Sequence, residues 1–153
     1  MKDVLLEQFA EWNAFLEEID SLDWNRPLGE GKWSVHDAVS HIYFWDKYFY
    51  EEAIRPISED RTLTLKHLNF DEFNNNAKML GKNIEKSELK SLSKNLRSLI
   101  INEIKQQDPS KFSRQYTDGD GKTFVVEQYL RDFIWHDRHH IKQIAALKET
   151  LHE

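Results

Sequence analysis

The stretch RPISEDRTLTLKHLN, residues 55–69, decides the topology of this chain. It separates two helical patterns and is too long for a turn between antiparallel neighbours, which takes about 2–8 residues. Extended, it reaches on the order of 50 Å, more than the roughly 30 Å length of a 20-residue helix. A connection with that reach can return along a bundle and join two helices that run in the same direction. Pro56 lacks an amide donor, which predicts that the preceding helix ends by Ile54.

Upstream, Ser34 is a good N-cap with Asp37 three residues on, a shorter form of the capping box. The second helix then carries Val35, Ala38, Val39, Ile42, Phe49 and Ala53 on its apolar side. Before it, Leu5, Phe9, Trp12, Leu16 and Ile19 recur at steps of four and three, one face of a first helix. Residues 23–32 hold Pro27, Gly29 and Gly31 and read as a loop. Downstream, a third helical region is predicted over residues 70–107. Its stripe is Phe70, Phe73, Ala77 and Leu80, then Leu89, Leu92, Leu96 and Leu99. Gly81 and Asn83 interrupt it, Ser87 caps the restart, and Asp108-Pro109 stops it. Asp118-Gly119-Asp120-Gly121 is a tight turn, after which Thr123 caps a last helix. Alternation never persists, so no strand is predicted. The expectation is an all-α protein, one domain over residues 1–153, folded as a four-helix bundle with a long crossover between helices 2 and 3.

Composition narrows the function classes. A chain of 153 residues with 39% hydrophobic residues can bury a substantial core. There is no cysteine, which excludes disulfides and thiolate chemistry and fits a cytoplasmic location. The N-terminal apolar residues are interrupted by acids, unlike a signal peptide, and no run is long enough to span a membrane. The net charge of −6 and the lack of an arginine-rich stripe argue against nucleic-acid binding, which needs clustered cations.

The informative residues lie in the last helix. Tyr129, Phe133, His136, His140, Ile144, Leu147 and Leu151 share one inward face, with two histidines where leucine would be expected. Imidazoles at i and i+4 have Cβ atoms about 6 Å apart, so both can reach one metal ion. Such a pair can equally be structural, each ring donating to a carboxylate. His41, beside the Ala38–Ile42 core positions of the second helix, is the candidate third ligand. Asp37 precedes His41 by four residues and Asp132 precedes His136 by four, each placed to orient its imidazole. Their alternatives are a cap for Asp37 and an arginine partner for Asp132. His139 points elsewhere, to the surface or behind a ligand. His36 is placed in solvent, and His67 and His152 are poor candidates.

These residues resemble a known family. KWSVHDAVSHIYFWD, residues 32–46, is similar to the tryptophan, acidic residue and histidine signature of the DinB/YfiT-like superfamily, carried here by Trp33, Asp37 and His41. WHDRHHIKQI, residues 135–144, resembles its closing motif through His136, His140, Gln143 and Ile144, and NFDEFNNNAKML resembles the start of its third helix. The resemblance implies a four-helix bundle with a long crossover, binding one divalent metal (zinc, nickel or iron) through His41, His136 and His140. Aspartate stands at position 37 where the family more often has glutamate. For activity it implies a metal-dependent hydrolase or a thiol-dependent transferase, with a small-molecule substrate or thiol cosubstrate and a possible homodimer. Asp37, Asp46 and Asp132 are then the available carboxylates, and Trp33, Trp45 and Tyr48 either wall a pocket or simply pack. The alternative is a non-catalytic protein that binds or sequesters a metal or small molecule, in a stress-related role.

Overall fold

The computed structural model describes residues 1–150, all but the side chain of Thr150; Leu151 and His152 lie outside the described residues. The elements are α1 (Lys2–Phe9), α2 (Glu11–Glu18), α3 (Val35–Phe49), a π-helical turn (Tyr50–Ile54), α4 (Arg55–Ser58), α5 (Phe70–Gly81), α6 (Lys86–Gln106), a ribbon of β1 (Tyr116–Thr117) and β2 (Thr123–Phe124), and α7 (Val126–Thr150). The bundle helices are α1–α2, α3 to α4, α6 and α7. Among the described residues no helix is long and apolar enough to cross a membrane.

Contacts fix the directions. His36 meets the Ile84 carbonyl just before α6, Arg97 reaches Asp46 midway, and Gln107 donates to the Ile54 carbonyl at its end. The second and third bundle helices therefore run parallel. The first opposes them, with Lys90 at Glu17 and Lys2 at the Gln107 carbonyl, and α7 runs with the first, Lys148 donating to the Glu18 carbonyl.

The crossover is shorter than residues 55–69, because the second helix does not stop at Ile54. Pro56 cannot donate to the carbonyl four residues back, that of Glu52. The π turn absorbs the missing bond, and the Glu52 carbonyl accepts instead from the Thr64 and Leu65 amides, at 3.1 and 3.2 Å. The helix thus continues to Ser58, and the proline binds the returning chain to it. Leu63 and Leu65 enter the core, and Tyr48 Oη both donates to the Lys66 carbonyl and accepts from its amide, each at 2.9 Å. α5 completes the return, antiparallel to α3, with Phe70 beside Trp45 and Gly81 against Ser40.

Other boundaries differ from the sequence reading. The first helix breaks at Ala10, and the Phe9 carbonyl freed there accepts from Arg97 at 2.9 Å. α6 starts behind Glu85, in extended conformation, so Ser87 lies inside the helix rather than capping it. Its buried face is Leu89, Ser93, Arg97, Ile100 and Ile104, rotated by one position from the leucine stripe, and Leu99 is 41% exposed. On α5, Ala77 and Gly81 are buried while Phe70 and Leu80 are exposed. Thr123 pairs with Thr117 in the ribbon instead of capping α7. Between them the predicted turn forms, with Asp118 Oδ1 accepting from the Asp120 and Lys122 amides and Gly121 at φ 79°.

The core is two apolar clusters, one around Phe9, Ile54, Ile104 and Leu130, the other around Trp12, Trp24, Val39 and Ile144. On the bundle helices a polar belt falls between them: Asp46, His41, Ser93, Arg97, Asp137 and His140, all buried. At its centre Arg97 is fully buried and every N–H donor is engaged. Nε and Nη2 donate to Asp46 at 3.0 and 3.1 Å, Nη1 to Asp137 at 2.6 Å and to Phe9 O, and Nη2 also to Asp137 at 3.4 Å. The guanidinium lies 3.8 Å from the Phe9 ring centroid. One side chain thus ties α1, α3, α6 and α7.

Arg97→Met should destabilise the fold by about 3–5 kcal/mol, because it leaves two carboxyls buried without their partner. The triple change Asp46→Leu, Arg97→Met, Asp137→Leu should recover much of that loss. Urea unfolding measures both, and an Arg97→Met cost below about 1 kcal/mol would refute the role assigned to this residue.

Candidate metal centre

His136 and His140 leave successive turns of α7, and His41 faces them from α3. His41 Nε2 lies 3.1 Å from His136 Nε2, and His140 Nε2 lies 3.3 Å from the same atom. One ligand-capable nitrogen from each ring falls within 4.8 Å of the other two. His41 and His140 are buried and His136 is half-buried.

His41 is oriented by a residue the sequence reading missed. Its Nδ1 donates to Asn74 Oδ1 at 2.8 Å, and Trp45 Nε1 donates to the same oxygen at 2.8 Å. Nδ1 therefore carries the ring proton, and Nε2 turns a lone pair to the cluster. Asn74 comes from α5, which approaches α3 closely because residue 81 is glycine; a Cβ there would overlap Ser40 Oγ and Cβ. No sequence signal singles out Asn74 within its run of three asparagines.

The rings are held neutral. Burial pushes His41 and His136 down to about 4 and His140 down to about 3, and the repulsion a second protonated imidazole would exert adds to the shift. For His41 that second cause is His136, and for His136 it is His139. Next to His136, burial raises the Asp137 carboxyl to about 6 against the opposing pull of Arg97. Three neutral imidazoles with converging Nε2 atoms are a donor set suited to zinc, nickel or iron, so these residues fit a divalent ion. The Nδ1 atoms of His136 and His140 are buried without a hydrogen-bond partner.

The remaining predicted residues separate. Asp37 closes the capping box, its Oδ2 accepting from the Ser34 amide at 3.2 Å, so Asn74 takes the place beside His41 that was read for it. Asp46 is drawn to Arg97, away from the histidines. Asp132 accepts from Gln128 and is exposed in the wall of a cavity that His41 and His136 also line. Trp33 packs against His41 with ring centroids 5.1 Å apart. Trp45 lines the cavity and stacks on Phe73 at 4.0 Å, while Tyr48 holds the crossover. His36 is not solvated: it is half-buried, its Nε2 2.8 Å from the Ile84 carbonyl. His67 pairs with Asp120, and His139 is exposed and lies parallel to Trp135.

A model of the DinB superfamily matches residues 5–144 of this sequence. The chain belongs to the DinB superfamily. Among solved structures it is similar to YfiT from Bacillus subtilis, described as a probable metal-dependent hydrolase with an unusual four-helix bundle topology. The TM-score is 0.77 at 18% identity, over 98% of this chain and 87% of that one, a likeness that establishes the fold. No curated protein matches the sequence.

Two outcomes follow for this superfamily member. Unfolded histidines bind protons below about 6.5, whereas these three do so only near 4 and below. The metal-free protein should therefore lose stability as pH falls from about 6.5 to about 4, opposed by two carboxyls, Asp137 and Asp46, whose pKa values burial raises. Melting temperatures across that range check this, and a temperature that rises towards pH 4 would refute it. Asn74→Leu should weaken zinc binding about 10–100-fold in calorimetry, since His41 loses its orienting acceptor. An unchanged affinity would show that Asn74 orients nothing.

Proposed function

We propose that this protein is a divalent-metal-dependent hydrolase acting on a small molecule, with His41, His136 and His140 holding one ion. The observation that carries this is the convergence of three neutral, largely buried Nε2 atoms beside an open cavity of about 410 Å³. Among the described residues no further histidine or carboxylate joins the cluster, and a site with three protein ligands leaves a position for substrate, as catalytic centres do. When bound, the ion supplies Lewis acidity. The likeness to YfiT, itself described as a probable metal-dependent hydrolase, supports the same reading.

The chain's own residues supply the rest. Asn74 fixes the proton of His41 on Nδ1. Asp132 is the carboxylate open to the cavity, available to accept a proton from water or substrate. The rings of Trp45, Phe49 and Phe133 give the cavity apolar walls.

Protein purified without a metal-affinity tag should contain near-stoichiometric zinc, nickel or iron by elemental analysis. His140→Ala should lower zinc affinity at least about 100-fold, and His139→Ala should leave it unchanged. Asp132→Asn should keep the metal but lower hydrolysis of a responsive neutral ester by about 100-fold or more. Zinc affinity indifferent to His140→Ala would place any metal elsewhere, and full activity in Asp132→Asn would remove that residue from the reaction.

A further inference from the structure

The cavity beside the histidines has walls that discriminate between ligands. His41 and His136 form one side, with Trp45, Phe49 and Phe133 around them. At its mouth stand Phe70 and Trp135, which are 65% and 71% exposed. The Trp135 ring lies 6° from parallel with the His139 imidazole, centroids 6.0 Å apart. Large rings left in water at the rim of a cavity mark a surface that an apolar partner covers. A second cavity of about 490 Å³ adjoins the first and shares Trp45, Phe49, Phe70, Asp132 and Phe133 with it. Both volumes lie within the roughly 300–1,000 Å³ of small-molecule sites.

Charge narrows the occupant. Among the described residues no lysine or arginine lines the first cavity, and its one acid is Asp132. In the second, Lys66 is outnumbered by Asp118, Glu127 and Asp132. Carboxylates and phosphates are recognised by arginine forks or lysine ammonium groups. Away from the histidines, where a bound divalent ion would be the one positive charge, the phosphate of a phosphate ester or the carboxylates of a low-molecular-weight thiol would meet aromatic faces and like charge.

We infer that this cavity takes an uncharged, aromatic or otherwise apolar small molecule with a single oxygen donor turned to the histidines, and not an anionic thiol or phosphate ester. The orientation of the ligand rests on the proposed metal site; its apolar binding does not.

Two fluorescent probes of nearly the same skeleton test it: uncharged N-phenyl-1-naphthylamine and its sulfonated analogue 8-anilinonaphthalene-1-sulfonate. On the metal-free protein the neutral probe should bind at least about ten-fold more tightly than the anion, and Phe70→Ala with Trp135→Ala should weaken it about ten-fold or more. Both residues are exposed, so the double variant should keep its circular dichroism and its zinc affinity. Leu99→Ala, at an exposed position outside the cavity lining, should change nothing. Tighter binding of the anion, strong competition by reduced glutathione, or indifference to the double variant would overturn the inference. Loss of zinc binding in the parent with neutral-probe binding intact would count against the metal site while leaving the apolar cavity standing.

Discussion

A single guanidinium buried between four helices sets the frame on which the rest of this bundle depends. Burying a charge is costly unless all its donors are met, and Arg97 meets them only if α1, α3, α6 and α7 stand in one register. The break at Ala10 belongs to the same arrangement, since it releases the Phe9 carbonyl that Arg97 takes. The belt that contains Arg97 divides an otherwise apolar core and also contains His41 and His140. Asp137, adjacent to His136 in sequence, fixes the height and rotation of α7, so the histidine faces inherit their position from an ion-pair network with no chemistry of its own.

The second constraint is the path of the crossover. Without the missing amide of Pro56, the Glu52 carbonyl would have an intrahelical partner, and the Thr64 and Leu65 amides would lose the acceptor that joins them to the π-helical turn. With the crossover pinned, α5 lies along α3 and delivers Asn74 to His41. The helix that completes the connection is therefore the helix that orients a candidate ligand, which links the parallel arrangement of the second and third bundle helices to the site. Gly81 is the small residue that permits the close approach.

Much of this was legible in the sequence. The stripe Leu5, Phe9, Trp12, Leu16 and Ile19 is buried along its whole length, because an unbroken apolar face leaves one rotation open to the helix. The i, i+4 pair His136 and His140 lies with His41 in a cluster because helical spacing and the inward stripe leave few alternatives. What was hidden involves polar residues whose partners are distant in sequence. Arg97 sits among leucines that look like the core face, and only its two carboxylates explain why the helix turns by one position to bury it. Asp46 and Asp37 were visible as carboxylates near histidines. Their destinations, an arginine on α6 and the backbone of Ser34, were settled by tertiary contact and by capping geometry. Asn74 left no local trace because its role depends on where α5 lands.

The central claim is that three imidazoles on two helices act as one ligand set, and X-ray absorption spectroscopy of the zinc-loaded protein tests it most directly. Three imidazole nitrogens at about 2.0–2.1 Å, with their ring multiple-scattering features and a further light-atom ligand, are expected. Their number should fall to two in His41→Ala if the site survives that change. A first shell made only of oxygen, or one unaffected by substitution at His41, His136 and His140, would contradict it.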